Sequence, residues 1–249
     1  MKARERGLSQ LEAMVTAATR IVGFTGAGIS TECGIPDFRS PGGVWSKFQP
    51  VEFSDFMRSP DMRLTAWRRY FHIHDAVSRA RPGRGHRALF ELAQRGKLSH
   101  VVTQNIDNLH QDSGLAPDQV IELHGNGTYA KCLACGQRHE ISWARSFIAE
   151  HARPPACLAC DGIVKTATIS FGQAMPEAEM ARAHGAIEAC DLLMAIGSSL
   201  IVYPAAGLPL LAKRWGAQLV IINREATDLD DRADLVVHAD IGETLQHFI

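Results

Sequence analysis

Ile21-Val22-Gly23-Phe24-Thr25-Gly26-Ala27-Gly28-Ile29-Ser30 is a short apolar, β-branched run that passes directly into a turn of small residues. A run of this kind reads as a buried strand. The small residues after it let backbone N–H groups approach an anionic pyrophosphate. Upstream, Leu8, Leu11, Met14, Val15 and Ala18 recur at three- and four-residue spacing, so residues 8–20 predict an amphipathic helix leading into the strand. Downstream, further apolar runs occupy His100–Thr103, Val120–Leu123, Leu192–Ile196, Leu219–Ile222 and Leu235–Val237. Helical patterns at His86–Arg95, Glu177–Glu188 and Ala205–Arg214 separate several of them. Continuous apolar strands alternating with helices predict a parallel sheet covered on both faces. Thr31 stands where a third glycine would complete G-x-G-x-x-G, which disfavours an ordinary hydride-transfer dehydrogenase.

The chain has 249 residues, enough for one large α/β domain with a smaller insert. Lys and Arg number 26 against 27 Asp and Glu, so no global field draws it to nucleic acid or an anionic membrane. The charged start, Met1 to Gln10, and the lack of a bilayer-length apolar run point to a cytoplasmic protein. The expected fold is a Rossmann-like doubly wound parallel sheet with a zinc-binding module and a helical insert. Residues 1–128 and 164–249 would form the sheet domain, with a cofactor loop and helical insert at 34–85, and 129–163 the module. Within the first of these, Gly34 to Pro60 is rich in Pro, Gly, Ser and aromatics and predicts a long ordered loop.

Four of the six cysteines form two C-x-x-C pairs, Cys132/Cys135 and Cys157/Cys160, with 21 residues between them. That is one more than the usual spacing of a four-cysteine zinc site. Each pair can set two thiolates on one side of a tight turn, and two turns complete a tetrahedral shell. Four protein ligands leave no position for water, so the zinc is expected to be structural. Two disulfides or a redox dithiol are the other readings, and a reduced compartment weighs against disulfides. The span is too small for an apolar core of its own. Lys131, Arg138 and Lys165 are expected to offset the thiolate charge. Cys33 and Cys190 read as small buried hydrophobes.

Polar motifs gather after the strands: Gly34-Ile35-Pro36-Asp37-Phe38-Arg39-Ser40, Thr103-Gln104-Asn105-Ile106-Asp107-Asn108-Leu109-His110, Glu122-Leu123-His124-Gly125, Gly197-Ser198-Ser199-Leu200 and Ile222-Asn223-Arg224-Glu225. Ligands of doubly wound sheets bind at the carboxyl ends of strands. With GAGIS, the cysteine quartet and Ser170-Phe171-Gly172-Gln173, this ordered set resembles the sirtuin family of NAD-dependent protein lysine deacylases from about Ile21 to Gly242.

The resemblance implies NAD as co-substrate, structural zinc, and acylated lysine in proteins or peptides as partner, without membrane or direct nucleic-acid binding. Gly26, Ala27, Gly28 and Ser30 would hold the pyrophosphate and ribose with Arg39, while Phe38 covers the reacting sugar. Gln104 and Asn105 would position the nicotinamide ribose, and Ala27, Ile35, Ile106 and Asp107 would line the nicotinamide pocket beside Asp37. Gly197, Ser198, Ser199, Asn223, Arg224, Glu225 and Ile241 would surround the adenosine. His124 is expected to act as general base, with Asn105 as the second catalytic residue, and His110 to be structural. Phe171, Gly172, Gln173, Val202 and Tyr203 would form the peptide rims, although Gln173 replaces the usual acid. A branch that accepts acidic acyl groups carries Tyr-x-x-Arg, where this chain has Tyr70 and Ile73. A buried carboxylate would lack its charged partner there, which favours acetyl or another uncharged acyl group. ADP-ribosyl transfer to protein and removal of longer or acidic acyl groups are the alternative activities, and a zinc-containing NAD sensor is the non-enzymatic one.

Overall fold

The computed structural model describes residues 3–37, 43 and 49–249. Helix α1 (Ala3–Ala17) leads to β1 (Ile21–Thr25), and a 3-10 helix follows at Ala27–Cys33. Next come α2 (Phe53–Arg58), α3 (Pro60–Val77), α4 (Arg84–Gln94), β2 (Leu98–Thr103), α5 (Leu109–Asp112) and β3 (Val120–Glu122). The chain continues through β4 (Gly125–Cys132), β5 (Arg138–Glu140), α6 (Ile141–His151) and β6 (Val164–Thr168). It ends with α7 (Glu177–Glu188), β7 (Leu192–Ile196), α8 (Leu208–Arg214), β8 (Gln218–Ile222), β9 (Leu235–Val237) and α9 (Ile241–Leu245).

Six parallel strands form the main sheet in the order β3-β2-β1-β7-β8-β9. Every residue of β1 and β7 is buried, because helices cover both faces of the central strands. The period-two pleat divides β7 between the layers. Leu192, Met194 and Ile196 join Leu11, Leu89 and Leu92 of α1 and α4, while Leu193 and Ala195 join Ala183, Ile187, Leu208 and Ala212 of α7 and α8. The order reverses between β1 and β7, and a crevice opens at such a switch point beyond the strand carboxyl ends.

The doubly wound sheet agrees with the sequence reading, with two local differences. Helix α1 stops at Ala17, and Thr19 and Arg20 instead donate their backbone N–H groups to the Asp191 carboxylate at 2.7 and 2.9 Å. Part of the expected 34–60 loop is helical: α2 lies within it, and Pro60 opens α3 behind Ser59, whose Oγ accepts from the Met62 N–H. Pro at a first helical position is pre-organised for a helix and does not mark a loop there.

A second sheet, antiparallel in the order β5-β4-β6, runs from Gly125 to Thr168 and thus beyond the expected 129–163 span. Its apolar face packs on Trp67 and Tyr70 of α3 together with Ile141, Ala144 and Ile148 of α6. The small module therefore borrows core from the helical insert. Leu193 lies at the centre of the main sheet with no exposed surface. Leu193→Ala is expected to cost about 2–5 kcal/mol in urea unfolding, with the slope unchanged.

Candidate functional site: a cavity at the strand ends

The loops after β1 and β7 are in close main-chain contact. Gly28 N donates to Gly197 O at 2.8 Å and Gly26 N to Ile196 O at 3.0 Å. A Cβ on Gly26 or Gly28 would lie 2.7 Å from Gly197 backbone atoms. One on Gly197, whose φ is +64°, would lie 2.4 Å from Ile29 N. Small residues are required here so that two backbones can meet. Beside this contact opens a cavity of about 620 Å³.

Its walls bring together most of the expected residues. Gly26, Ala27, Gly28 and Asp37 line it after β1, with Gln104, Asn105 and Ile106 after β2 and His124 after β3. Gly197, Ser198, Ser199, Val202 and Tyr203 follow β7, Asn223, Arg224 and Glu225 follow β8, and Ile241 opens α9. Tyr70 and Ile73 of α3 and Phe171, Gly172 and Gln173 after β6 complete that set. Ser30, Ile35 and Asp107 are not on the cavity wall; all three are buried behind it. Ser30 Oγ donates to Asp107 Oδ2 at 2.6 Å, and Asp107 Oδ1 accepts from Leu109 N at 3.0 Å. Phe38 and Arg39 lie outside the described residues.

Asn105 is fixed from two sides. Its Nδ2 donates to Gly26 O at 3.1 Å and Ser30 Oγ at 3.2 Å, and its backbone N–H donates to Thr103 Oγ1 at 3.0 Å. Gln104 is tied across to the β7 loop by a 2.9 Å bond from Nε2 to Ser198 Oγ. His124 Nδ1 lies 3.0 Å from Gln104 O. A carbonyl oxygen only accepts, so Nδ1 carries a proton, and in the neutral ring Nε2 is the acceptor. The strand-end turn thereby selects the tautomer of a histidine that faces the cavity.

The sequence reading assigned no role to Glu32, Thr168, Ile169 and Asp240, which also lie on the wall. Glu32 accepts from Arg84 Nε at 3.1 Å and Gly85 N at 3.2 Å, which joins the β1 loop to the start of α4. Asp240 lies three residues after β9, so the strand-end rule applied to that strand would have found it. Gln173 Oε1 accepts from Ser170 N at 3.1 Å and Gln173 N donates to Ser170 O at 3.0 Å, closing a tight turn. The Tyr70 hydroxyl donates to Gly127 O, and burial raises its pKa.

The quartet behaves as one donor set. Cys132 and Cys160 Sγ are 3.5 Å apart, Cys135 and Cys157 Sγ are 3.6 Å apart, and all four sulfurs fall within 4.8 Å of one another. A disulfide would need about 2.05 Å. A tetrahedron with Zn–S bonds of about 2.3 Å has sulfur–sulfur edges of about 3.8 Å, so the residues fit zinc. Ala134 N and Ala159 N donate to Cys132 and Cys157 Sγ at 3.4 Å, and His139 Nε2 lies 3.3 Å from Cys157 Sγ. These contacts support thiolate charge.

Lys165 does not serve that purpose. It is buried, donates to Thr168 O and Thr166 O, and lies 6.0 Å from the Phe56 ring centre, with burial lowering its pKa to about 8. Arg138 pairs with Glu140 at 3.6 Å and covers the Tyr129 ring. Cys190 is buried as expected and Cys33 half-buried, with burial pushing both thiols up to about 11.

Fold and site define an α/β protein of the Rossmann-like class with an appended four-cysteine module. The Sir2 family model matches residues 26–204, and the chain belongs to that family. An NAD-dependent protein deacetylase of Rhodopseudomonas palustris is 57% identical over 98% of this chain and 96% of its own length. NAD-dependent protein deacetylase 1 of Bradyrhizobium diazoefficiens is 59% identical over 98% and 95%. Among solved structures, a Sir2–p53 peptide–NAD+ complex is 32% identical with a TM-score of 0.87, covering 99% of this chain and 97% of that one. A Sir2 variant with deacetylated p53 peptide and 3′-O-acetyl ADP ribose has a TM-score of 0.88 at 32% identity, with 96% of each chain covered.

Cys135→Ser is expected to abolish retention of one zinc per chain and to lower the thermal midpoint, measured by metal analysis and calorimetry. Full zinc content in this variant would contradict the tetrathiolate assignment.

Proposed function

We propose that this chain removes acetyl or another uncharged acyl group from protein lysine, consuming NAD and one water and releasing nicotinamide, free lysine and O-acyl-ADP-ribose. The observation that carries the reading is the His124 tautomer. Its imidazole, with Nδ1 held 3.0 Å from Gln104 O, lines the same cavity as Asn105 and the Gly26–Gly28 loop. NAD supplies a sugar carbon activated by its bond to nicotinamide, and a ribose hydroxyl that accepts the acyl group.

The chain's residues then divide the work. Main-chain groups of Gly26, Ala27 and Gly28 hold the pyrophosphate, with Gly197, Ser198, Ser199, Asn223, Arg224, Glu225 and Ile241 around the adenosine. Gln104 and Asn105 orient the nicotinamide ribose, while Ile106 and Asp37 shape the nicotinamide pocket. Ser30, Ile35 and Asp107 act from behind, Ser30 and Asp107 by fixing Asn105. For Phe38 and Arg39, which lie outside the described residues, the roles on the sugar and phosphate are those the family resemblance implies. Holding the acyl oxygen against the sugar carbon, with competing water kept out until nicotinamide has left, converts a bimolecular displacement into a local one, and a water is admitted afterwards to break the acyl–nitrogen bond and free the lysine. His124 Nε2 then accepts a proton from the ribose hydroxyl, as a general base must from within hydrogen-bond reach.

The acylated peptide lies extended between the turn after β6 and the β7 loop, with exposed Phe171 and Tyr203 on its rims beside Gly172, Gln173 and Val202. An uncharged acyl group suits the inner wall. Ile73 supplies no charge at the position where the acidic-acyl branch carries Arg, and the Tyr70 hydroxyl is engaged by Gly127 O. The compartment is proposed to be the cytoplasm; no described helix is long and apolar enough to cross a membrane.

His124→Ala is expected to lower turnover of an acetyl-lysine peptide by about 10²–10⁴-fold while zinc content and thermal midpoint stay at wild-type values. Near wild-type turnover, followed by peptide mass, would remove His124 from this role.

A further inference from the structure

Leu123 and His124 connect β3 to β4, and the side chains at the two ends of this turn bond to each other. Glu122 Oε1 accepts from Asn126 Nδ2 at 2.7 Å and from Gln111 Nε2 of α5 at 2.7 Å. Asn126 is buried, and its surroundings fix which way its amide faces. The Thr128 backbone N–H, 2.8 Å away, can only donate, so the oxygen Oδ1 must be on that side. Thr128 Oγ1 donates to the same oxygen at 2.6 Å. Nδ2 therefore gives one hydrogen to Glu122 and the other to Asn108 Oδ1 at 2.9 Å. These four bonds fill the capacity of the side chain. Neither Glu122 nor Asn126 lines the cavity.

The main chain of the turn is tied to strands on both sides. Leu123 N donates to Thr103 O at 2.9 Å, and Ile169 N donates to His124 O at 2.8 Å. Gly125 has φ +72°, and a Cβ there would lie 2.1 Å from Ala167 O, so the chain enters β4 at a place with no room for a side chain. The Glu122–Asn126 bond closes the same turn from end to end. We propose that Asn126 is a positioning residue for His124, its bond to Glu122 across the turn holding the imidazole against Gln104 O. Burial raises the Glu122 pKa, and the Gln111 and Asn126 amides oppose that rise, while Glu179 and Asp107 add like charge. Removing the Asn126 donor therefore destabilises the carboxylate at the base of the turn. Asn126 touches no substrate in this scheme; it acts through the turn. The inference rests on the general-base role proposed for His124.

Asn126→Asp keeps the size of the side chain and the acceptor for Thr128, but sets a carboxylate oxygen against Glu122. Adding Glu122→Gln supplies an amide that can donate to that oxygen. The His124 ring is read first, by ¹⁵N shifts assigned through their loss in His124→Ala. Wild-type protein is expected to show the Nδ1–H form, Asn126→Asp a mixture of tautomers, and the double variant a return to Nδ1–H. An Nε2–H ring in wild-type protein, or an unchanged ring in Asn126→Asp, would overturn the proposal. That measurement needs no turnover, so failure of the proposed reaction and failure of the positioning role are distinguishable. In turnover of an acetyl-lysine peptide, Asn126→Asp is expected to lower kcat by roughly 10- to 100-fold with the KM for NAD nearly unchanged, as for a displaced reacting group. The double variant should recover most of that loss. Nicotinamide leaves before His124 acts, so return of labelled nicotinamide into NAD reports the earlier step and should fall far less than kcat. Wild-type kcat in Asn126→Asp, equal losses in exchange and turnover, or no recovery in the double variant would contradict the positioning role.

Discussion

Two backbones in contact, the Gly26–Gly28 loop after β1 and Gly197 after β7, set the geometry on which the rest of the site depends. The 2.8 Å bond from Gly28 N to Gly197 O joins the halves of the sheet where the strand order reverses. Any side chain on the three glycines would push these loops apart. With the loops held together, the ends of β1, β2, β3, β7 and β8 border one cavity and not several separate clefts.

The residues that face the cavity are ordered by others that do not. Ser30 and Asp107 brace Asn105 from below, Ser198 anchors Gln104, and Gln104 in turn selects the tautomer of His124. Each bond joins segments that follow different strands, so the parallel order of the strands brings together groups far apart in sequence. Such pre-organisation matters because a group that must reorient during reaction loses much of its effect.

The fold was legible because buried parallel strands leave continuous apolar runs, and most site residues were legible because they stand immediately after those runs. What sequence spacing could not show was direction. Ser30, Ile35 and Asp107 sit within the motifs yet turn inward, and Lys165 lies one strand from the cysteines yet reaches Thr166 and Thr168 carbonyls. Gly34 to Pro60 has loop composition, but Ser59 capping and Pro60 at the first helical position convert its end into helix. The small sheet drew its core from α3, a contribution invisible to any reading confined to the cysteine-containing span.

The central claim is that acyl removal and NAD cleavage are one event. Incubating purified protein with an acetyl-lysine peptide, with and without NAD, and quantifying products by mass tests it directly. The account predicts nicotinamide, deacetylated peptide and O-acetyl-ADP-ribose in equal amounts, and no reaction without NAD. Deacetylation that proceeds equally without NAD, or that yields free acetate as its first product, would contradict it.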